Sequence, residues 1–106
     1  MNTITYTRKD IVRRVSDQLG LGDKEVKIII DEVLETITRI FMEDHDVLRI
    51  ELRNFGVFEV KPTKAKPRAR NPKTNEEVFV PAHKKIHFRA GKILKNELKK
   101  EYIPKA

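Results

Sequence analysis

The sequence predicts an α+β fold: a helical hairpin base, a three-stranded antiparallel sheet with an extended β-ribbon arm, and a C-terminal helix. Three observations carry this. Apolar residues recur at helical spacing between Val26 and Phe41. They alternate strictly with charged ones over residues 47–53, VLRIELR, as in a half-buried strand. Residues 61–75, KPTKAKPRARNPKTN, hold six basic residues, three prolines and no acidic residue. That stretch has no face to bury, so it stands outside the core.

A chain of 106 residues is expected to form one domain, 1–106. It has no cysteine, which excludes disulfides and cysteine-based metal or redox sites. No apolar run reaches membrane-spanning length, and the N-terminus lacks a signal-peptide core, so a soluble intracellular protein is expected. Charged residues make up 37% of the chain and are unevenly placed. Residues 1–54 carry nine Lys/Arg against eleven Asp/Glu, a net of −2; residues 55–106 carry fourteen against five, a net of +9. Such asymmetry indicates one surface for an anion, with nucleic acid the first candidate and an anionic membrane the second.

Residues 1–6 form a short tail. Thr7 can cap a first helix with Asp10 three residues on, a capping-box spacing. Ile11, Val12, Val15 and Leu19 line one face, and Gly20 stops it. A second helix starts at Gly22-Asp23 and runs through residue 43. Its stripe is Val26, Ile29, Ile30, Val33, Leu34, Ile37, Ile40 and Phe41; Ile28 falls off it and hints at a second buried face. A turn at 43–46 leads into the first strand. Asn54 and Gly56 mark a tight connection to a second strand through Phe58 and Val60, making a hairpin over 47–61. The arm, about 61–82, turns at 71–75 and pairs residues 64–70 with the return strand 77–80, which Pro81 ends. Residues 84–88 form a third core strand. Ala90-Gly91-Lys92 opens the last helix, with Ile93, Leu94 and Leu98 apolar, and Pro104 ends it.

Without the arm and tails, roughly 75 residues remain for a core, which is marginal for a lone chain. The second helix is apolar over more than one stripe, and Phe55, Phe58 and Phe88 are large for so thin a sheet. The surplus predicts a two-fold dimer.

Residues 52–60 (LRNFGVFEV), 70–74 (RNPKT) and 88–92 (FRAGK) in this order resemble the HU and integration host factor family of bacterial histone-like DNA-bending proteins. The element order is similar over roughly residues 7–101. The resemblance implies two intertwined chains whose β-ribbon arms reach around duplex DNA in the minor groove, in the cytoplasm at the bacterial nucleoid. It implies a DNA-intercalating role for Pro72, with Arg70 and Asn71 beside it. It puts Lys61, Lys64, Lys66, Arg68 and Lys73 along the arm near phosphates, and Lys84, Arg89 and Lys92 against the DNA backbone from the sheet and last helix. Phe55, Phe58 and Phe88 fall in the dimer core. Partners implied are double-stranded DNA (linear, nicked, distorted or branched) and a second copy or a paralogue; no cofactor and no metal is implied.

The chain departs from the family pattern in two places near the tip. Asn75 stands where glycine is common, and the first arm strand is about one residue longer, which leaves its register open. The N-terminal tail and the Lys105 end are not covered by the resemblance.

The physics agrees with this picture. A minor-groove binder reads little sequence, draws affinity from counterion release, and can kink DNA by roughly 20–90° with an apolar wedge. The low-specificity, HU-like mode is therefore expected. Rival readings are a site-specific bender of the integration host factor kind, an RNA-binding basic protein, and a structural dimer with a membrane-binding loop. His83 and His87 have no third ligand in their strand context, so a metal pair is not expected, and Lys95, Lys99 and Lys100 suit a helix C-terminus. No nucleophile–base pair or glycine-rich phosphate loop suggests an enzyme.

Overall fold

The computed structural model describes residues 2–105. It contains two compact units, one ending at Glu43 and one beginning at Asp44. The first is a pair of helices, α1 (Arg8–Leu19) and α2 (Asp23–Phe41). The second holds five strands, β1 (Leu48–Leu52), β2 (Gly56–Pro62), β3 (Lys66–Arg70), β4 (Glu77–Val80) and β5 (Lys84–Ala90), followed by α3 (Lys92–Leu98).

α1 begins where the capping spacing predicted. The Thr7 backbone N–H and hydroxyl both donate to Asp10 Oδ2, at 2.8 and 2.9 Å. These bonds, the backbone one foremost, hold the Asp10 carboxyl below its ordinary pKa. Gly20 ends the helix with φ 67, the left-handed conformation glycine adopts at least cost, and its N–H bonds Ser16 O at 2.8 Å. Val12, Ser16 and Val26 are the buried residues of the helical unit. Arg8 and Lys27 converge on Asp31 at 3.2 and 2.6 Å across its surface. α2 stops at Phe41, two residues before the predicted end. Among the described residues no helix is long and apolar enough to cross a membrane. Of the predicted tail, Met1 lies outside the described residues; Tyr6 is covered by the Arg14 guanidinium, 4.8 Å from the ring centre.

In the second unit β2 is the central strand, antiparallel to β1 on one side and β5 on the other. Asn54 makes the β1–β2 turn at φ 66, a conformation asparagine tolerates. The β2–β5 register runs from Gly56 opposite Ala90 to Pro62 opposite Lys84. Directly opposed residues share a face. Ile50, Phe58 and Phe88 are thus on one face, joined by Phe55, with ring centres 4.7 Å apart for Phe58–Phe88 and 5.5 Å for Phe55–Phe88. Arg49, Glu59 and His87 form a row on the other face, beside Val57, Arg89, Lys61 and Lys85.

Gly56 is where this sheet is tightest. A Cβ there would lie 2.5 Å from the Arg89 carbonyl oxygen and 2.5 Å from the Phe88 ring. The glycines of LRNFGVFEV and FRAGK are therefore linked by packing: Gly56 lets Phe88 lie across β2, and the Gly91 N–H donates to Phe55 O at 2.8 Å.

β3 and β4 form a separate two-stranded ribbon. Lys66 faces Val80 and Ala69 faces Val78, so Pro67 and Arg68 together oppose Phe79 alone. This two-against-one register is a β-bulge. It falls at a proline, which has no N–H to give the ladder. The first arm strand is shorter than predicted, starting at Lys66, because Lys64 and Ala65 belong to the junction between the core sheet, which runs to Pro62, and the ribbon.

Gly56→Ala is expected to lower stability by about 1–3 kcal/mol, the usual cost of overpacking a close contact. A urea midpoint equal to that of the parent protein would show that the Phe88 ring yields without cost.

Candidate nucleic-acid interface

The ribbon grows out of the core sheet through a short junction. The Thr63 N–H donates to His83 O at 2.7 Å, and the Thr63 hydroxyl also lies 3.1 Å from that oxygen. His83 Nδ1 lies 3.0 Å from Pro81 O and 3.3 Å from Thr63 Oγ1. These contacts tie both strands of the arm together at its root. They give His83 a structural place in a strand connection, which spacing alone could not reveal because Thr63 lies twenty residues away.

At the far end, residues 71–76 form a compact turn. Asn71 N–H bonds Glu76 O at 2.9 Å, and Asn75 N–H bonds Asn71 O at 2.7 Å. The Asn71 side chain accepts from Lys73 N–H at 2.9 Å, spanning Pro72. That is an Asx turn, for which asparagine followed by proline is suited. Pro72 is exposed in this turn, with no N–H of its own. Asn75 has φ 59, so asparagine does adopt the left-handed conformation at the position where glycine was the expected residue.

The basic residues divide into three groups. Lys64, Lys66, Arg68 and Lys73 are exposed on the arm and make no ion pair among the described residues. Because of the bulge, Lys66 shares a face with Ala69, Val78 and Val80, while Arg70 faces the other way beside Glu77. An unbroken strand would place residues four apart on one face. Arg70 bonds Asn75 Oδ1 at 3.1 Å.

The second group is on the core sheet. Lys61 lies 3.3 Å from Glu59, which also takes Arg49 at 2.8 Å. Hydrogen bonds from Arg49 first and Lys61 second hold the Glu59 carboxyl below its ordinary pKa, and Glu59 holds Arg49 above its own. Lys84, at the start of β5, donates to the His45 carbonyl and stands 3.6 Å from Asp44. Arg89 is on β5 on the charged face, without an ion pair among the described residues. The third position is Lys92, the first residue of α3.

Ribbon and sheet thus present cations from both the arm and the charged face. Arg49, Glu59 and Lys85 had no assigned role in the sequence reading; the alternation of β1, β2 and β5 was the signal for them. Phe55 and Phe88 remain 49% and 44% exposed in the single chain.

A two-stranded basic ribbon ending in a proline, rooted in a sheet with one charged face, defines the class of protein as a nucleic-acid binder. The sequence matches the family described as bacterial DNA-binding protein over residues 6–99. It is 34% identical over 93 residues to the DNA-binding protein HU of Thermotoga maritima, covering 88% of this chain and 99% of that one. It is also 34% identical over 91 residues to the integration host factor subunit alpha of Saccharophagus degradans, covering 86% of each. The fold superposes on an Anabaena HU–DNA cocrystal structure with a TM-score of 0.77 at 28% identity, covering 91% of this chain and all of that one. The chain belongs to the bacterial DNA-binding protein family of HU and integration host factor. It is a DNA-binding architectural protein rather than an enzyme.

Glu59 is ionised more readily in the fold than in the unfolded chain. Its stabilising effect is therefore present above the ordinary glutamate range and lost as pH falls through the lowered native value. Glu59→Gln is expected to be less stable than the parent near neutral pH, with the difference vanishing as pH falls below the ordinary glutamate range. Thermal melts across that range check this; a pH-independent difference would mean that packing, and not charge, is what Glu59 supplies.

Proposed function

We propose that this protein binds duplex DNA through the minor groove with β-ribbon arms and bends it by inserting Pro72 between base pairs, with little sequence preference. The observation that carries this reading is Pro72 exposed in the turn of a basic ribbon, its neighbours Asn71 and Lys73 locked in an Asx turn around it. Proline is rigid and apolar, so it can replace a base-stacking contact without leaving a donor unpaired. Unstacking costs a few kcal/mol per step. Phosphate contacts by Lys64, Lys66, Arg68 and Lys73 along the arm, and by Lys61, Lys84, Arg89 and Lys92 from the sheet and α3, offset it by releasing counterions. Arg70 and Asn71 flank the wedge in the minor groove, whose pattern is degenerate between A·T and T·A.

The active form is a dimer, of two identical chains or of this chain with a paralogue, and each chain contributes one arm. The support is apolar surface left uncovered in the single chain. Ile28 and Ile29 on α2 are 70% and 55% exposed, and the Phe55–Phe58–Phe88 cluster is half open. Lone domains of this size seldom leave such residues to water. Pre-bent, nicked or branched DNA binds more tightly than linear duplex, since less deformation remains to be done.

A second reading, site-specific binding, is favoured by the likeness to integration host factor alpha subunits. Competition among duplexes of varied sequence separates the two. The low-specificity mode predicts near-equal affinities, a salt dependence of log K of about −0.9 per phosphate neutralised, and a free-protein mass of twice 12.4 kDa. A single duplex winning by about 10³-fold would establish the site-specific mode. A preference for A-form RNA would move the protein to a different class, and a monomeric mass would remove the two-armed mode.

Pro72→Ala is expected to reduce the DNA bend, read by FRET between labelled duplex ends, more than it reduces affinity at low salt. An unchanged bend would remove proline from the wedge role.

A further inference from the structure

At the arm tip, Asn75 has a side chain that the binding mode above does not use. Asn75 has φ 59, and its backbone N–H closes the turn onto Asn71 O at 2.7 Å. Turn closure is therefore backbone chemistry that glycine would perform at least as well. The side chain has a separate partner: Asn75 Oδ1 accepts from Arg70 Nη1 at 3.1 Å.

The choice of partner is informative. Glu77 is the residue directly opposite Arg70 in the ribbon, yet the guanidinium crosses the turn to the amide. A carboxylate would hold the arginine more strongly and would also cancel its charge. An amide oxygen restrains the guanidinium while leaving the full positive charge to an outside anion. Arginine has five N–H donors, so the one spent on Asn75 leaves the others for phosphate oxygens or base edges. The restrained group is the cation two residues before Pro72, where an ordered charge has the most effect on how the tip enters a groove.

We propose that Asn75 is a positioning residue for Arg70: its side-chain amide orders the guanidinium beside Pro72 before DNA arrives. This rests on the DNA-binding reading above. A long side chain frozen at an interface costs binding free energy, and ordering it in advance recovers about 2- to 10-fold in affinity.

A double-mutant cycle on a linear duplex, read by fluorescence anisotropy, tests it with Asn75→Gly, Arg70→Ala and the pair. Glycine keeps the left-handed backbone and removes only the amide. Asn75→Gly is expected to weaken binding about 2- to 10-fold in the parent protein and to have no effect in the Arg70→Ala background. Asn75→Asp keeps the acceptor but cancels the charge, so it should lower the salt slope by about 0.9, one phosphate. Equal costs of Asn75→Gly in both backgrounds would assign the amide to the turn or to direct DNA contact and overturn the proposal, as would no cost in the parent. Absence of duplex binding by the parent chain, read before any variant, would instead remove the DNA-binding reading on which it stands. Thermal melts of all five proteins confirm that each is folded.

Discussion

The pairing of β2 with β5 is the constraint on which the second unit depends. Seven consecutive residue pairs run from Gly56–Ala90 to Pro62–Lys84, and Gly56 sets their spacing because nothing larger fits under Phe88. Once that register is set, the period of two sorts every side chain. Phenylalanines gather on one face and the Arg49–Glu59–Lys61 network, with Arg89, on the other. The same two strands then run on through the Thr63–His83 junction into the arm, so the register that packs the rings also determines where the ribbon leaves the sheet.

The two faces answer opposite demands. The aromatic face is too large for one small chain to cover, and in the proposed mode a second chain covers it. The charged face keeps its cations in water, partly held by Glu59. Each such surface pair contributes little to stability. They matter instead because a carboxylate beside a lysine lowers the net charge offered to an incoming polyanion. The arm differs: its lysines have no acidic partners among the described residues, and its ends are held by backbone bonds and neutral amides. Its charge is thus left for a partner, while its shape is maintained without using that charge.

The bulge at Pro67–Arg68 has a consequence for that partner. It turns Lys66 and Arg70 to opposite faces of the ribbon. A ribbon lying in a groove has phosphates on both sides, so cations on both faces suit it better than a single row would. The proline that spoils the ladder is thereby compatible with the job proposed for the ribbon.

Much of this was legible in the residues. Helical spacing located α1 and α2, and Thr7, Asp10 and Gly20 marked the ends of the first. Alternation located the first core strand, the Asn54 and Gly56 turn signal the second, and composition showed that the arm lies outside the core. These are local signals, set by periodicity and backbone preference, and they need no knowledge of what lies across the fold. The family likeness suggested the wedge role proposed for Pro72 from a contiguous motif. What the sequence left open was how residues far apart meet. That the core pairing runs on to Pro62 opposite Lys84, that Pro67 and Arg68 bulge opposite Phe79, that His83 ties the arm root, and that Asn75 reaches Arg70 all depend on strand register. Register is a tertiary property: it follows from which close contacts, such as Phe88 over Gly56, the whole sheet can satisfy at once.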